Sequence, residues 1–140
     1  HPGGELGKQL GLQIKDVMHT LEDVVTVKLE HDLFDMVQEM TEKPLGAALV
    51  LDSKNMLEGI VTDGDIRRCF PRDPRKLDVK IADILNKNPV TVPLSASLED
   101  SMKLMEDRPS QISVLPVIDL STKECVGLVR LHDIYQSRLY

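Results

Sequence analysis

The stretch Gly59-Ile60-Val61-Thr62-Asp63-Gly64-Asp65-Ile66-Arg67-Arg68 returns in blurred form as Gly127-Leu128-Val129-Arg130-Leu131-His132-Asp133-Ile134. In both copies a Gly precedes a short β-branched or Leu-rich run, polar residues stop it, and an Asp followed by Ile comes next. That order reads as a strand turning directly into a helix N-terminus. The likeness extends outward, for Asp16 recurs as Asp83, Thr26 as Thr91, Met40 as Met105 and Asp65 as Asp133, all 65 to 68 positions on. A nearly fixed period marks an internal repeat, and the small drifts in offset belong to loops. Residues 1–13 then read as a leading linker, 14–70 as the first motif, 71–80 as a second linker and 81–140 as the second motif.

Each copy has the same internal order. In the first, Val24-Val25-Thr26-Val27 is a β-type run, and Asp32 stands as N-cap before Leu33, Met36, Val37 and Met40 at helical spacing. Gly46 to Leu51 reads as a buried strand, Asp52-Ser53-Lys54-Asn55 as a turn, Leu57 to Val61 as the returning strand, and Thr62 as the start of a second helix. The second copy offers Val90-Thr91-Val92, a helix from Ser97 with Leu98, Met102 and Met105 inward, Ile112 to Ile118, a turn over 119–123, and Val126 to Val129. Ser97-Leu98-Glu99-Asp100 resembles a capping box. The expected fold class is mixed α/β (α+β), each unit being strand, helix, strand, strand, helix. Three short strands are not stable alone, so the two units should pack through their sheets as a pseudo-twofold pair.

Composition narrows the classes of partner. A net charge of −6, with no Trp and two each of Phe and Tyr, argues against a nucleic-acid backbone, which needs clustered Lys and Arg. Cys69 and Cys125 lie in different copies without close companions, which suggests neither a disulfide framework nor a zinc set and fits reduced thiols in a cytoplasmic protein. No apolar run approaches the roughly 18 residues of a spanning helix, and no signal peptide opens the chain, so no membrane partner is expected. The opening His1-Pro2-Gly3-Gly4 reads as cut from a longer protein.

A pair of such units, each ending Gly-hydrophobic-x-Thr/Ser-x-x-Asp, resembles the tandem cystathionine-β-synthase (CBS) domain pair. The leader His1-Pro2-Gly3-Gly4-Glu5-Leu6-Gly7-Lys8-Gln9-Leu10, followed by Asp16-Val17-Met18 and Thr62-Asp63-Gly64-Asp65-Ile66-Arg67-Arg68, is similar to the D-arabinose-5-phosphate isomerase family. In that family a sugar-isomerase domain precedes the CBS pair. The resemblance implies an upstream isomerase domain in cis and a homo-oligomer. It also implies a parent that converts D-ribulose 5-phosphate to D-arabinose 5-phosphate for the eight-carbon acid sugar Kdo of Gram-negative lipopolysaccharide, without a required cofactor. Capsule and sugar-alcohol-operon members share the same resemblance. His1 resembles a residue of the parent active site, where proton movement needs positioned acid–base groups. The rest of that site would lie upstream, so this chain alone is expected to be inactive.

The candidate binding residues follow from the repeated segment. A carboxylate is an acceptor with two oxygens, so Asp65 can take both ribose hydroxyls of a nucleotide. Thr62 and the N–H groups after it, with Arg67 or Arg68, would meet a phosphate. The same Thr62-Asp63-Gly64-Asp65 also fits a plain helix cap, and the two readings are compatible. The CBS resemblance implies a base lying against Val25, Thr26 and Ala47, residues whose commoner fate is the core. In the second copy Arg130 replaces the hydroxyl residue while Asp133 remains, so that cleft should favour a more anionic ligand or stay empty, unless Arg130 makes an ordinary ion pair. His19, His31 and His132 lack metal-type spacing and are expected to face solvent.

These residues point to a regulatory, nucleotide-sensing CBS pair whose ligand is AMP, ATP or the nucleotide sugar CMP-Kdo. Two alternatives stand beside it: a structural oligomerisation module that binds no ligand, and a free-standing CBS sensor unrelated to an isomerase.

Overall fold

The computed structural model describes residues 11–70 and 78–137. The leader with His1, the linker positions 71–77 and the last three residues, including Arg138, lie outside the described residues. In chain order the elements are α1 (Ile14–Val17), β1 (His19–Thr20), β2 (Val25–Val27), α2 (Leu33–Glu42), β3 (Ala47–Leu51), β4 (Leu57–Thr62) and α3 (Asp63–Cys69). There follow α4 (Ile81–Ile84), β5 (Val92–Pro93), α5 (Leu98–Glu106), β6 (Val114–Ile118), β7 (Cys125–Arg130) and α6 (Leu131–Ser137). The strand, helix, strand, strand, helix order occurs in both copies, and the fold is mixed α+β with two sheets.

Local chemistry accounts for the boundaries. Asp32 caps α2 by accepting from the Asp35 N–H at 3.1 Å, and Ser97 caps α5 by accepting from the Asp100 N–H at 3.0 Å. The two hairpins turn on a matched device. Asp52 Oδ1 accepts from the N–H groups of Lys54 and Met56, and Asp119 Oδ1 accepts from the N–H and hydroxyl of Ser121. Such Asx turns fold the chain back without distant partners. Each hairpin also carries a register shift at the equivalent place, between Val50 and Leu51 and between Val117 and Ile118.

The chain forms two compact units, and they do not coincide with the two repeats. One unit runs from Leu21 to Pro89, while the other joins the segment ending at Thr20 to everything from Val90 onward. In the Leu21–Pro89 unit the sheet order is β2-β3-β4, with β2 and β3 parallel and β3 and β4 antiparallel. All five residues of the central strand β3 are buried, and Val27, Met36, Met40, Val50, Val61 and Ile66 form the core with Ile81. In the other unit the order is β1-β7-β6-β5, and Val92, Leu98, Met105, Leu115, Val129 and Ile134 form a core with Ile14.

Ile14 and Ile81, both fully buried, each complete the core of the copy to which they do not belong in sequence. The short helix that opens one repeat is therefore a part of the other's unit, and burying such a side chain contributes about 1.5–3 kcal/mol. Main-chain bonds hold the exchange. The Ile14 N–H donates to Ala96 O at 2.8 Å and the Lys15 N–H to Leu94 O at 3.0 Å, while Ile60 and Asn86 exchange two bonds of 3.1 and 3.0 Å.

These crossings explain the Gly at the head of the repeated segment. A Cβ on Gly59 would stand 2.7 Å from Leu85 Cγ and collide with the carbonyl oxygen of Asn86, and one on Gly127 would collide with the carbonyl oxygen of His19. The crossing backbone lies where any side chain would be. Gly64 differs, since its Cβ would meet the flexible tip of Arg68 at 3.1 Å. Gly59→Ala and Gly127→Ala should each lower unfolding free energy by about 1–3 kcal/mol through overpacking. Gly64→Ala should be neutral or stabilising by up to about 1 kcal/mol because Ala favours a helix. Urea denaturation of the three variants measures this, and equal effects at all three positions would refute it.

Candidate functional site

Strand β4 ends at Thr62, the N-cap of α3, and the register places Thr62 opposite Ala47 and Val25 opposite Ala48. The starts of β2 and β3 and the end of β4 thus share one edge of the sheet. Gly46, in the left-handed region at φ +81°, turns the chain into β3 there, and its carbonyl accepts from the Asp63 N–H at 3.0 Å. The fold brings Val25, Thr26, Ala47, Thr62 and Asp65 to this edge. Val25 and Ala47 are buried, Val25 within the core cluster, whereas Thr26 is exposed. Their apolar character is thus spent largely on packing.

Thr62 and Asp65 form a reciprocal cap. The Thr62 hydroxyl accepts from the Asp65 N–H at 3.3 Å, and Asp65 Oδ2 accepts from the Thr62 N–H at 2.9 Å and the Thr62 hydroxyl at 3.0 Å. Asp65 Oδ1 accepts from Arg68 Nη2 at 2.7 Å, in an ion pair whose Arg side chain is 73% exposed. Arg68 and not Arg67 meets the carboxylate, because residues three apart share a helix face and residues two apart do not. Arg67 is exposed. A cleft of about 230 Å³ is lined by Asp65, Arg68, Cys69 and Ile84.

The second copy keeps the carboxylate and changes its company. Asp133 Oδ2 accepts from the Arg130 N–H at 3.3 Å and from Arg130 Nε at 3.0 Å, and Oδ1 accepts from Arg130 Nη2 at 2.8 Å. Half of the capping box survives, since the Asp still holds the N–H at the cap while no hydroxyl returns the bond. His19, on β1, places Nε2 2.9 Å from Asp133 Oδ2. The ion-pair reading of Arg130 is the one the geometry supports.

Burial alone would raise the Asp133 pKa, but hydrogen bonding and charge from Arg130, then His19, hold the carboxyl below its ordinary value. The Arg130 guanidinium is raised in turn, chiefly by its bond to Asp133. Burial pushes the thiols of Cys69 and Cys125 up, which makes both poor nucleophiles. Among the described residues no cluster of His, Cys, Asp and Glu could hold a metal ion, and no helix is long and apolar enough to cross a membrane.

Two histidine expectations are corrected. His19 is only partly exposed and paired with Asp133, and His31 is partly buried with Nε2 2.8 Å from Glu39 Oε2. His132 is exposed as expected. Sequence reasoning missed His19 because 114 positions separate it from Asp133. Arg68 is among the candidates named from sequence, and its bond to Asp65 is within reach of the rule that pairs residues three apart on a helix, whereas Cys69 and Ile84 carry no local signal.

Three arabinose 5-phosphate isomerases named KdsD are similar to nearly the whole chain. Those of Yersinia pestis and Pseudomonas aeruginosa are each 37% identical over 137 residues, 98% of this chain but 40% and 41% of their own length. The protein of Escherichia coli K12 is 32% identical over 137 residues, covering 98% of this chain and 40% of its own. The chain thus spans about two-fifths of the curated relatives it matches. In fold it is similar to the CBS domain pair of protein MJ0100, solved with 5′-methylthioadenosine and S-adenosyl-L-methionine, at TM-score 0.76 and 20% identity, covering 89% of this chain and 94% of that one. CBSX2 of Arabidopsis thaliana, solved with AMP, gives TM-score 0.76 at 23% identity and covers 91% of this chain and 96% of that one. The CBS domain family itself matches residues 14–72 and again 81–139, and the chain belongs to that family as a tandem pair of CBS domains.

Proposed function

We propose that this CBS pair is the nucleotide-sensing regulatory part of an arabinose 5-phosphate isomerase, acting in the cytoplasm on a sugar-isomerase domain in cis. Residues 1–13 would tether it to that domain, with 14–70 and 81–140 as the two motifs and 71–80 as their connection. The observation that carries the reading is the Thr62–Asp65 pair at the sheet edge. Its carboxylate is held in place by the cap on one oxygen, and its other oxygen is covered only by an exposed Arg.

A ribose would exchange its hydroxyls for the Arg68 bond at Asp65, and the released guanidinium would turn to the phosphate. Thr26 and the backbone edges near Val25 and Ala47 would face the base, with Arg67 adding to the cationic field. An adenine nucleotide is supported by the ligands of the structurally similar CBS pairs, namely AMP in CBSX2 and methylthioadenosine and S-adenosylmethionine in MJ0100. CMP-Kdo offers the same ribose and phosphate groups. Regulation then requires that the ligand bind two states of the assembled protein unequally, because equal affinity shifts nothing.

One observation favours a structural module instead: the cap between Thr62 and Asp65 is closed without any ligand. The two readings part in a titration. Calorimetry of this chain with AMP, ATP and CMP-Kdo should give saturable heat for at least one, weakened about 10- to 100-fold in Asp65→Ala, the worth of a charge-assisted bond. A thermal melt of the variant separates lost binding from the about 1 kcal/mol lost with the cap. No heat from any of the three would leave the assembly module as the reading.

The chain by itself should not isomerise ribulose 5-phosphate, since the acid–base groups and the sugar-phosphate pocket belong to the proposed upstream domain. A coupled assay for arabinose 5-phosphate with this chain as sole protein tests that, and turnover above the no-protein rate would overturn it.

A further inference from the structure

We propose that the second copy carries a self-occluded ribose site: the Arg130 guanidinium closes a fork across both oxygens of Asp133 and His19 adds a further donor, so the pair takes its nucleotide through Asp65 alone. The inference rests on the nucleotide-sensing reading for the kind of ligand, and on the geometry of the second copy for everything else.

A carboxylate offers about four lone-pair positions. Around Asp133 three donors converge on Oδ2, namely the Arg130 N–H, Arg130 Nε and the His19 ring nitrogen at 3.3, 3.0 and 2.9 Å, and Arg130 Nη2 meets Oδ1 at 2.8 Å. With the carboxyl held ionised, His19 Nε2 must be the donor in its bond. A ribose diol bridging the two oxygens would therefore have to break the Arg130 fork and enter the crowded Oδ2. At Asp65 three donors are in place, and the one on Oδ1 belongs to a side chain 73% exposed.

The two arginines also differ in hold. Arg68 donates one bond from Nη2, whereas Arg130 closes a fork on both oxygens, and its side chain is 29% exposed against 11% for Asp133. A bidentate guanidinium–carboxylate pair at a partly buried site is stronger and better fixed than a single exposed bond. His19 adds a second lock from a different element. It lies on β1, whose pairing with β7 places His19 opposite Leu128, two residues before Arg130. The Thr-to-Arg difference between the copies thus puts a permanent internal occupant on the carboxylate.

The test converts the second copy into the likeness of the first. Arg130→Thr restores the Thr-x-x-Asp order, and His19→Ala with it removes the second donor. Calorimetry with AMP should give one ligand per chain for the unaltered protein. R130T should give two, and the Asp65→Ala/R130T double variant should keep one, lost again on adding Asp133→Ala. Circular dichroism and a melting curve establish that R130T is folded. If it is not, Arg130→Lys, which keeps charge and loses the fork, should open the site to AMP at least tenfold above the unaltered second copy, read in the Asp65→Ala background.

The outcomes separate the two claims. Binding by Asp65→Ala that disappears with Asp133→Ala means the second carboxylate is already open, which overturns the occlusion and leaves nucleotide sensing intact. A folded R130T/His19→Ala protein with no additional AMP site overturns the occlusion as well. Heat from R130T with none from the unaltered chain supports the occlusion and refutes the role given to Asp65.

Discussion

The structure depends on a close crossing of backbones that only glycine permits. In the Leu21–Pro89 unit the segment carrying Leu85 and Asn86 runs across Gly59, and in the other unit the segment carrying Met18 and His19 runs across Gly127. Each crossing hydrogen-bonds a returning strand to the residues that follow the leading helix of the other repeat. Each also delivers one isoleucine, Ile81 or Ile14, into a core that lacks it. A short helix of four residues has little stability of its own. Each persists here because its isoleucine is buried in a core that its own repeat does not supply, with main-chain bonds to that unit from Ile14 and Lys15 in one case and from Asn86 in the other.

From those crossings the site inherits its asymmetry. The strand that passes over the crossing ends in both copies at a helix start, and an Asp three residues on takes the N–H at the cap. In the first copy a threonine returns the bond, and the remaining oxygen of Asp65 is left to a loosely held Arg68. In the second the residue at the cap is Arg130, which bends back upon Asp133. The crossing segment there also ends in His19, which reaches the same carboxylate. Asn86, on the corresponding bridge in the first copy, hydrogen-bonds through its backbone to Ile60. One motif thus yields two carboxylates, 21% and 11% exposed, of which only the second is closed by a guanidinium fork.

Much of the fold was legible because its signals are local. Asp32 and Ser97 announce helix starts through bonds to N–H groups three residues on, and Asp52 and Asp119 announce turns in the same short-range manner. The alternation of buried and exposed residues in Val25-Thr26-Val27 and the unbroken burial of Ala47 to Leu51 match the apolar runs read from the chain. The site was legible only in part. Thr62 and Asp65 stand together in the sequence and Arg67 or Arg68 beside them, yet the sequence does not show that Arg68 pairs with Asp65 or that His19 turns from solvent to Asp133.

The sequence by itself determined the repeat, the order of elements and the identity of the carboxylate in each copy, since each of these is written within a few residues and enforced by helix and strand periodicity. Only the tertiary structure decided which repeat's core receives Ile14 and Ile81, why Gly59 and Gly127 admit no side chain, and which carboxylate is shielded. Those outcomes depend on pairs such as His19 and Asp133, 114 positions apart. No propensity or spacing rule couples residues at that distance; their meeting follows from the folded path of the chain.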